Sequence, residues 1–293
     1  MVEQAVPVRD PTASSTGQLA TGAGWLDLHF EAERPEYQAI VREAGFRPGW
    51  HVLDAGCGSG GFLPLLAELV GPTGRLTALD LAPDNVAIAG ARAVSLRLAA
   101  PVQADVGSVT ALPYPDDAFD GLWCAAVLQY LTDDELATAL AEFRRVVRPG
   151  GLIAIKDGDG TVMRFASVDL SRWWRLRAAL ARTGSPRERG ALRGPELRGF
   201  LRRAGLTEIR LRTTLVERWA PYAPVEREFL GTLISTFARL AQSTDLPDSD
   251  RREWERLRDT GDAILDDPDH FYREGHVLAV GRVPVPDDQA APG

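Results

Sequence analysis

Two hydrophobic spacings alternate along the chain and predict strands separated by helices. Residues 51–54 and 75–80 are short apolar runs of the kind found in strands that are buried on both faces. Between them, apolar residues from Phe62 to Leu69 recur at helical spacing. Because strands that alternate with helices pair in parallel, the pattern predicts an α/β fold with a mainly parallel sheet.

The same pattern continues to residue 283. At Thr132 and Glu135 the spacing is that of a capping box, which predicts a helix beginning there and running through Val147. Further strands are predicted at 101–105, 121–125, 152–156, 206–219 and 276–283, and further helices at 83–98, 168–181, 195–204, 225–241 and 250–265. Seven strands are therefore expected.

The chain has 293 residues, enough for one large domain with an inserted cap. We expect a mobile segment at 1–21, a single domain at 22–283 and a mobile tail at 284–293. Within the domain, 46–157 is the expected core, and 22–45 with 158–270 the expected cap on the substrate side. Residues 1–20 lack a basic region followed by an apolar run, and no stretch has the length of a membrane span, so we expect a cytoplasmic protein.

The charge is acidic overall but uneven. A net charge of −8 argues weakly against a dedicated nucleic-acid binder. Residues 172–203, however, hold ten arginines and two glutamates. This stretch is interpreted either as a solvated helix face or as a docking surface for an anion, such as a carboxylated or diphosphate substrate, a carrier protein or RNA.

A glycine-rich turn follows the first predicted strand. Gly56, Gly58 and Gly60 let backbone N–H groups approach a ligand, and the helix N-terminus after them adds partial positive charge. Asp54, at the end of the strand, would repel a dinucleotide's diphosphate but would suit a ligand that carries an ammonium as well as a carboxylate. S-adenosylmethionine carries both, although the glycine spacing also fits the dinucleotide fingerprint of dehydrogenases.

Three motifs resemble those of class I S-adenosylmethionine-dependent methyltransferases. They are VLDAGCGSG at 52–60, LPYPDDAFD at 112–120 and RPGG at 148–151, in the order and at the spacing of that family. The resemblance implies a Rossmann-like fold, with a seven-stranded, mainly parallel sheet, helices on both faces and a helical cap. It also implies methyl transfer from S-adenosylmethionine to a small organic acceptor, as in quinone or natural-product biosynthesis, with S-adenosylhomocysteine as product.

The resemblance also implies roles for individual residues. Asp80 would accept hydrogen bonds from the ribose hydroxyls, Asp105 would bind the adenine amine beside Val106, and the backbone of Cys124 would lie near the cofactor. Gln129 and Tyr130 would point towards the acceptor, while Trp173 is interpreted either as a wall of the acceptor site or as part of a packed cap. The full set of cofactor residues expected is Asp54, Gly56, Gly58, Gly60, Asp80, Leu81, Asp105, Val106 and Cys124.

Two residues are candidates for a catalytic role. His29 lies in an aromatic segment expected to cover the pocket and is the first candidate for a general base. Asp157 ends the fifth strand at the edge where α/β proteins bind ligands, and the alternative is an aspartate that caps a loop. His270 and His276, which flank the last predicted strand, are assigned structural roles. No cluster of His, Asp and Glu has metal-ligand spacing, so no metal is expected.

Three alternative functions stay open at this stage. A dehydrogenase would bind NAD in preference to S-adenosylmethionine, and an RNA methyltransferase would use the arginine-rich stretch to bind RNA. A protein of the same fold could also bind S-adenosylmethionine without transferring its methyl group, as a scaffold or as a catalyst of rearrangement. The sequence does not determine the acceptor, the atom methylated or the oligomeric state.

Overall fold

Eight strands form one sheet in the computed structural model, which describes residues 13–16 and 20–286 apart from the side chain of Asp262. The strands run in the order β3-β2-β1-β4-β5-β8, and β7 pairs with the other edge of β8. Strands β1 to β5 pair in parallel, whereas β8 is antiparallel to both of its long neighbours. The strands are β1 His51–Ala55, β2 Arg75–Asp80, β3 Val102–Val106, β4 Phe119–Ala125, β5 Val147–Gly158, β6 Arg164–Phe165, β7 Thr207–Trp219 and β8 Phe271–Arg282.

Eleven helices are found in the described part of the chain, and several of them cover the two faces of the sheet. Short 3-10 turns at Leu128–Tyr130 and Gly194–Glu196 precede two of the helices. The helices are α1 Ala23–Ala32, α2 Arg34–Arg42, α3 Leu63–Val70, α4 Pro83–Ser95, α5 Asp133–Val146, α6 Leu170–Arg182, α7 Pro186–Gly190, α8 Leu197–Arg203, α9 Pro224–Gln242, α10 Asp248–Asp259 and α11 Gly261–Leu265.

The buried apolar side chains form three clusters. One cluster packs α5 and α8 against the sheet, and a second packs α2 and α3 against it. The third joins α6, α9 and α10 around Trp173, Phe237 and Trp254, away from the centre of the sheet. The first two clusters explain why the central strands are apolar on both faces. The third is the core of the region we expected to form a cap.

The capping box at the start of α5 is confirmed. The hydroxyl of Thr132 accepts the backbone N–H of Glu135, and the carboxylate of Glu135 accepts the backbone N–H of Thr132. The two bonds satisfy donors that every helix leaves free at its first turn. They fix where α5 begins, directly after the turn that follows β4.

The predicted elements need four corrections. The sheet has eight strands because the two-residue β6 adds to β8, and β5 begins at Val147, through the RPGG motif, because a register shift allows extended pairing there. The predicted helix at 250–265 is two helices, broken at Thr260. His276 lies inside β8 and does not flank it.

The expected mobile ends lie partly outside the described residues. Residues 13–16 were included in the predicted mobile segment, yet the backbone N–H of Ser15 donates to Asp84 at 3.0 Å, and Ser14 and Thr16 line the large cavity of the protein. Residues 1–12, 17–19 and 287–293 lie outside the description. The division into core and cap stays a prediction. Among the helices described, none combines the length and the apolar character needed to cross a membrane.

Candidate active site

A cavity of about 260 Å³ opens at the carboxyl ends of β1, β2, β4 and β5. Gly56 and Gly58 line it, with φ values of +84° and +54° that side chains of L-residues rarely adopt. A Cβ at Gly56 would lie 2.2 Å from Cγ2 of Val127, and one at Gly58 would lie 2.7 Å from Cδ1 of Leu26. Only glycine therefore fits the turn at these two positions.

Gly60 has a different role from the other two glycines. A Cβ there would lie 3.0 Å from the backbone Cα of Ala89 and 2.9 Å from Cδ1 of Leu63. It is not among the residues that line the cavity. Gly60 therefore allows α3 and α4 to pack closely, and the predicted contact of Gly60 with the cofactor stays a prediction.

Asp80 holds the glycine turn and faces the cavity. Its Oδ2 accepts the backbone N–H of Gly58 and its Oδ1 accepts that of Ala82, both at 2.9 Å. Burial raises the pKa of Asp80 from its ordinary value, although these hydrogen bonds lower it. Asp80 and its neighbour Leu81 line the cavity where the sequence predicts the ribose.

Asp54 lies behind the turn with a carboxylate oxygen that has no partner. The residue is only 1% exposed, and its Oδ2 makes no hydrogen bond among the described residues. Burial, together with the charge of Asp80, raises the pKa of Asp54 to about 8. Asp54 is not among the lining residues. Two buried carboxyl groups of like charge would be stabilised by a cationic ligand beside them.

The other predicted cofactor residues lie outside the cavity lining. The carboxylate of Asp105 accepts hydrogen bonds from Gln103 and, at 2.9 Å, from the hydroxyl of Tyr114. Val106 is 54% exposed, and Cys124 is fully buried in the core, where burial raises the pKa of its thiol. Their roles in cofactor binding stay predictions.

The acceptor side of the cavity contains two of the three residues predicted there. Gln129 and Tyr130, in the 3-10 turn after β4, both line the cavity. Trp173 does not line it and packs edge-on against Phe237, with ring centroids 4.9 Å apart. Phe237 itself lines the cavity, so Trp173 supports the wall from behind.

His29 belongs to a buried network that the sequence did not reveal. Its Nε2 lies 3.1 Å from Oε2 of Glu33 and 3.1 Å from the hydroxyl of Tyr37. The same Glu33 oxygen lies 2.5 Å from Nε2 of His276, and Glu274 lies 3.9 Å from Nε2 of His29. His29 and Glu274 line the cavity. The network therefore connects α1 and β8 at the cavity wall.

The charges of this network decide its protonation. Burial lowers the pKa of His29, but the charge and hydrogen bond of Glu33 and the charge of Glu274 outweigh burial, and the pKa is raised. The pKa of Glu33 is held well below its usual range by His29 and His276, which outweigh its burial. Burial lowers the pKa of Lys156, which also lines the cavity and whose Nζ donates to the hydroxyl of Tyr37.

The same network has the composition of a metal site, which the sequence analysis did not expect. One ligand atom from each of four side chains can be chosen so that all lie within 4.8 Å of one another. In the structure these groups pair with each other, with Tyr37 and with Tyr272. The four side chains are His29, Glu33, Glu274 and His276.

Asp157 is buried beside the cavity but does not line it. It is 2% exposed, and its Oδ1 has no hydrogen-bond partner among the described residues. Burial raises the pKa of Asp157 to about 7, against the opposing charges of Lys156 and Arg193. Its predicted catalytic role stays a prediction.

Six of the ten arginines at 172–203 form ion pairs within the protein. Arg172 and Arg175 pair with Asp250. Arg189 and Arg193 pair with Asp133. Two further arginines, Arg177 and Arg187, pair with Glu188 and line the cavity. The interpretation as a solvated helix face is therefore wrong for the buried Arg177 and Arg193, whereas Arg175 and Arg189 are exposed.

Known proteins are similar to this chain in the sequence of the core and in the fold. Residues 52–151 match the family model described as the methyltransferase domain. This match covers 100 of the 293 residues and, with the order of the strands, shows that the core of the chain is similar to a methyltransferase domain.

One curated relative is 2-phytyl-1,4-naphtoquinone methyltransferase of Synechococcus elongatus, 33% identical over 50% of this chain and 64% of its own length. The chain spans about half the length of other curated relatives it matches.

Solved structures confirm the fold. A structure from Bacillus halodurans C-125 assigned as a methyltransferase has a TM-score of 0.56 and 16% identity, covering 86% of this chain and 100% of that one. Phosphoethanolamine N-methyltransferase 2 of Haemonchus contortus, in complex with S-adenosyl-L-methionine, has a TM-score of 0.55 and 14% identity, covering 96% of this chain and 61% of that one. At these identities the likeness concerns the fold alone.

Proposed function

We propose that this protein transfers a methyl group from S-adenosylmethionine to a small organic acceptor. The observation that carries the proposal is one cavity that contains both kinds of site. The glycine turn and Asp80 lie on its cofactor side, while Tyr130, His29 and Phe229 line the side where an acceptor would bind. A donor and an acceptor held in one enclosed space are what methyl transfer requires.

The residues of the cofactor side fit S-adenosylmethionine. The backbone of Gly56 and Gly58 lines the cavity, where a ligand can approach it, and Asp80 beside them could accept hydrogen bonds from ribose hydroxyls. The unpartnered oxygen of Asp54 and the carboxylate of Asp80 favour a ligand with positive charge. A dinucleotide's diphosphate would instead add negative charge beside them.

The bound cofactor supplies an electrophilic methyl group whose leaving group departs neutral, so the protein's main task is alignment. The apolar side chains at the acceptor side exclude water and position an acceptor of largely apolar character. They include Trp25, Met163, Phe229, Leu233 and Phe237.

We propose His29 as the group that removes a proton from the acceptor. It lines the cavity, stacks on Phe229 with ring centroids 4.9 Å apart, and has a pKa that Glu33 and Glu274 raise against the effect of burial. Glu33 and His276 would act as positioning residues, because they fix the ring of His29 without lining the cavity. Asp157 is a weaker candidate, since it does not line the cavity.

Quinone or natural-product biosynthesis is the proposed context, supported by the curated relative named as a naphtoquinone methyltransferase. An RNA methyltransferase is less well supported, because six of the ten arginines in the basic stretch are paired with carboxylates. No observation specifically favours a role that leaves the methyl group in place.

A competition titration tests the cofactor part of the proposal. We expect S-adenosylmethionine and S-adenosylhomocysteine to bind and NAD to compete with neither. Asp80→Ala should weaken binding by about 1.5–3 kcal/mol, the scale of hydrogen bonds to charged groups. Asp134→Ala, an exposed carboxylate in the first turn of α5, is the matched control. Unchanged affinity in Asp80→Ala would remove Asp80 from the ribose site, and displacement by NAD would favour the dehydrogenase.

A further inference from the structure

We propose that the arginine end of the cavity, formed by Arg177, Arg187 and Tyr130, binds a carboxylate carried by the methyl acceptor. The inference rests on the proposed function and names its substrate class: an apolar body with one carboxylate. All three side chains line the cavity, although the two arginines come from α6 and α7 and the tyrosine from the turn after β4.

The guanidinium of Arg177 is buried and only partly paired. The side chain is 5% exposed, and Nη1 donates to Oε2 of Glu188 at 3.2 Å. Its Nε and Nη2 have no hydrogen-bond partner among the described residues. Buried donors are almost always satisfied, so two unpartnered donor nitrogens at a cavity wall indicate a missing acceptor atom.

The charges at this end of the cavity do not balance. Arg187 also donates to Glu188, at 2.5 Å, so one carboxylate is shared by two guanidinium groups. Arg187 also forms a hydrogen bond with the side chain of Tyr130. Two positive charges and one negative charge leave this end of the cavity with a surplus of one positive charge. An anionic ligand group would complete the balance.

The surrounding structure holds the two arginines in place. The Arg177 guanidinium carbon lies 5.8 Å from the centroid of the Trp173 ring, which gives the buried Trp173 a role that the sequence analysis did not predict. Helix α7 lies directly on the turn after β4, since a Cβ at Gly190 would lie 2.1 Å from the carbonyl oxygen of Gln129. This packing positions Arg187 beside Tyr130.

The remaining lining residues narrow the ligand class. A guanidinium presents parallel N–H groups that match a planar carboxylate. Met163, Phe229, Leu233 and Phe237 provide apolar surface in the same cavity. At another part of the wall, Glu274 would repel an anion. A ligand would therefore place its carboxylate at the arginine end and its apolar body against the apolar residues of the cavity.

The test compares two probes of the same shape by calorimetry. The full-length protein is saturated with S-adenosylhomocysteine, which prevents reaction, and is titrated with 2-naphthoate or with its neutral analogue 2-naphthamide. We expect the carboxylate to bind at least about tenfold more tightly than the amide, as for hydrogen bonds to charged groups. In Arg187→Gln the ratio should fall towards one.

Two further variants separate binding from folding. Arg177→Gln alone would leave Glu188 with one partner fewer, so it is combined with Glu188→Gln, and melting temperature checks that the variant is folded. This double variant should also lose the preference for the carboxylate. Arg182→Gln, an exposed arginine of the same helix α6 that does not line the cavity, should keep the wild-type ratio.

The outcomes distinguish this inference from the proposed function. Equal affinities for the two probes, or no binding of the carboxylate to protein that binds S-adenosylhomocysteine, would overturn the inference alone. Loss of S-adenosylhomocysteine affinity in the folded arginine variants would also overturn it, because the arginines would then bind the cofactor's own carboxylate. Failure of the wild-type protein to bind S-adenosylhomocysteine would instead overturn the proposed function.

Discussion

At the scale of single residues, the acidic pair at the cofactor side has opposite effects on stability and on binding. Asp54 is buried, one of its oxygens has no partner, and Asp80 adds a second negative charge nearby. Such a site is unfavourable for the empty protein and favourable for a cationic ligand. A residue that lowers the stability of the empty protein and favours binding of a ligand is typical of functional sites.

We predict that Asp54→Asn stabilises the protein without ligand but reduces its stabilisation by S-adenosylmethionine. A folded-state pKa of about 8, above the unfolded value of about 3.9, means that Asp54 contributes stability at low pH that is lost as the pH rises to about 8. The melting temperature of the variant should therefore exceed that of the wild type increasingly from pH 5 to pH 8. Thermal denaturation with and without ligand measures both effects.

Asp134→Asn serves as the control for both measurements, because Asp134 is exposed and lies outside the cavity lining. It should change neither the pH dependence nor the response to ligand. A lower melting temperature of Asp54→Asn at pH 8 would contradict the account of Asp54 as an unpaired buried acid.

We predict that Glu33→Gln shifts the pH dependence of methyl transfer to lower pH. A base must be deprotonated, so the rate should rise with pH through the pKa of His29, which Glu33 raises above the ordinary value of about 6.5. Without that charge, only Glu274 opposes the effects of burial and Lys156, so the pKa of His29 should fall. Initial rates measured from pH 5 to pH 9 test this shift.

The neighbouring Glu31→Gln provides the matched control, since Glu31 is an exposed residue of α1, two positions before Glu33, and pairs with Arg34. It should leave the profile in place. A profile that is equally displaced in both variants, or unmoved in Glu33→Gln, would mean that His29 is not the titrating base.

At the scale of elements, close packing of α7 on the turn after β4 connects the fold to the acceptor site. Gly190 permits that packing because a side chain would overlap the backbone of Gln129. The two elements lie more than 50 residues apart in sequence, and together they carry Tyr130 and Arg187 to one end of the cavity.

We predict that Gly190→Ala destabilises the protein by about 1–3 kcal/mol, the usual cost of overpacking, because the nearest atoms belong to the backbone of Gln129 and must shift. Affinity for 2-naphthoate should fall while affinity for S-adenosylhomocysteine stays unchanged. Denaturant unfolding and calorimetry measure the two effects. Gly231→Ala, in α9 with open space around its Cβ position, is the control and should be neutral or slightly stabilising.

Local signals explain which elements could be predicted from the sequence. The capping box at Thr132 and the alternation of strands and helices up to Asp157 depend on neighbouring residues, and the structure confirms them. The break at Thr260 precedes Gly261, a poor helix former whose local signal was missed. The two-residue β6 depends on pairing with β8, for which the sequence carries no periodic signal. The RPGG motif was expected to be a turn, yet pairing with neighbouring strands draws it into β5.

At the scale of the whole molecule, cavity residues within the first β-α-β unit were predictable, whereas the network around His29 was not. Gly56 and Gly58, in the turn between β1 and α3, and Asp80, at the end of β2, line the cavity. The network around His29 joins residues 29 and 33 to residues 274 and 276, which only the completed sheet brings together. A sequence pattern identifies contacts within one β-α-β unit far better than contacts between the two ends of a chain.

Transfer of label from S-adenosylmethionine tests the central claim most directly. The protein is incubated with methyl-labelled S-adenosylmethionine and an extract of the organism that encodes it, and the products are separated into small molecules, protein and nucleic acid. We predict label in the small-molecule fraction, dependent on the wild-type protein and reduced with Asp80→Ala. Label confined to protein or nucleic acid would contradict the claim that this chain methylates a small organic acceptor.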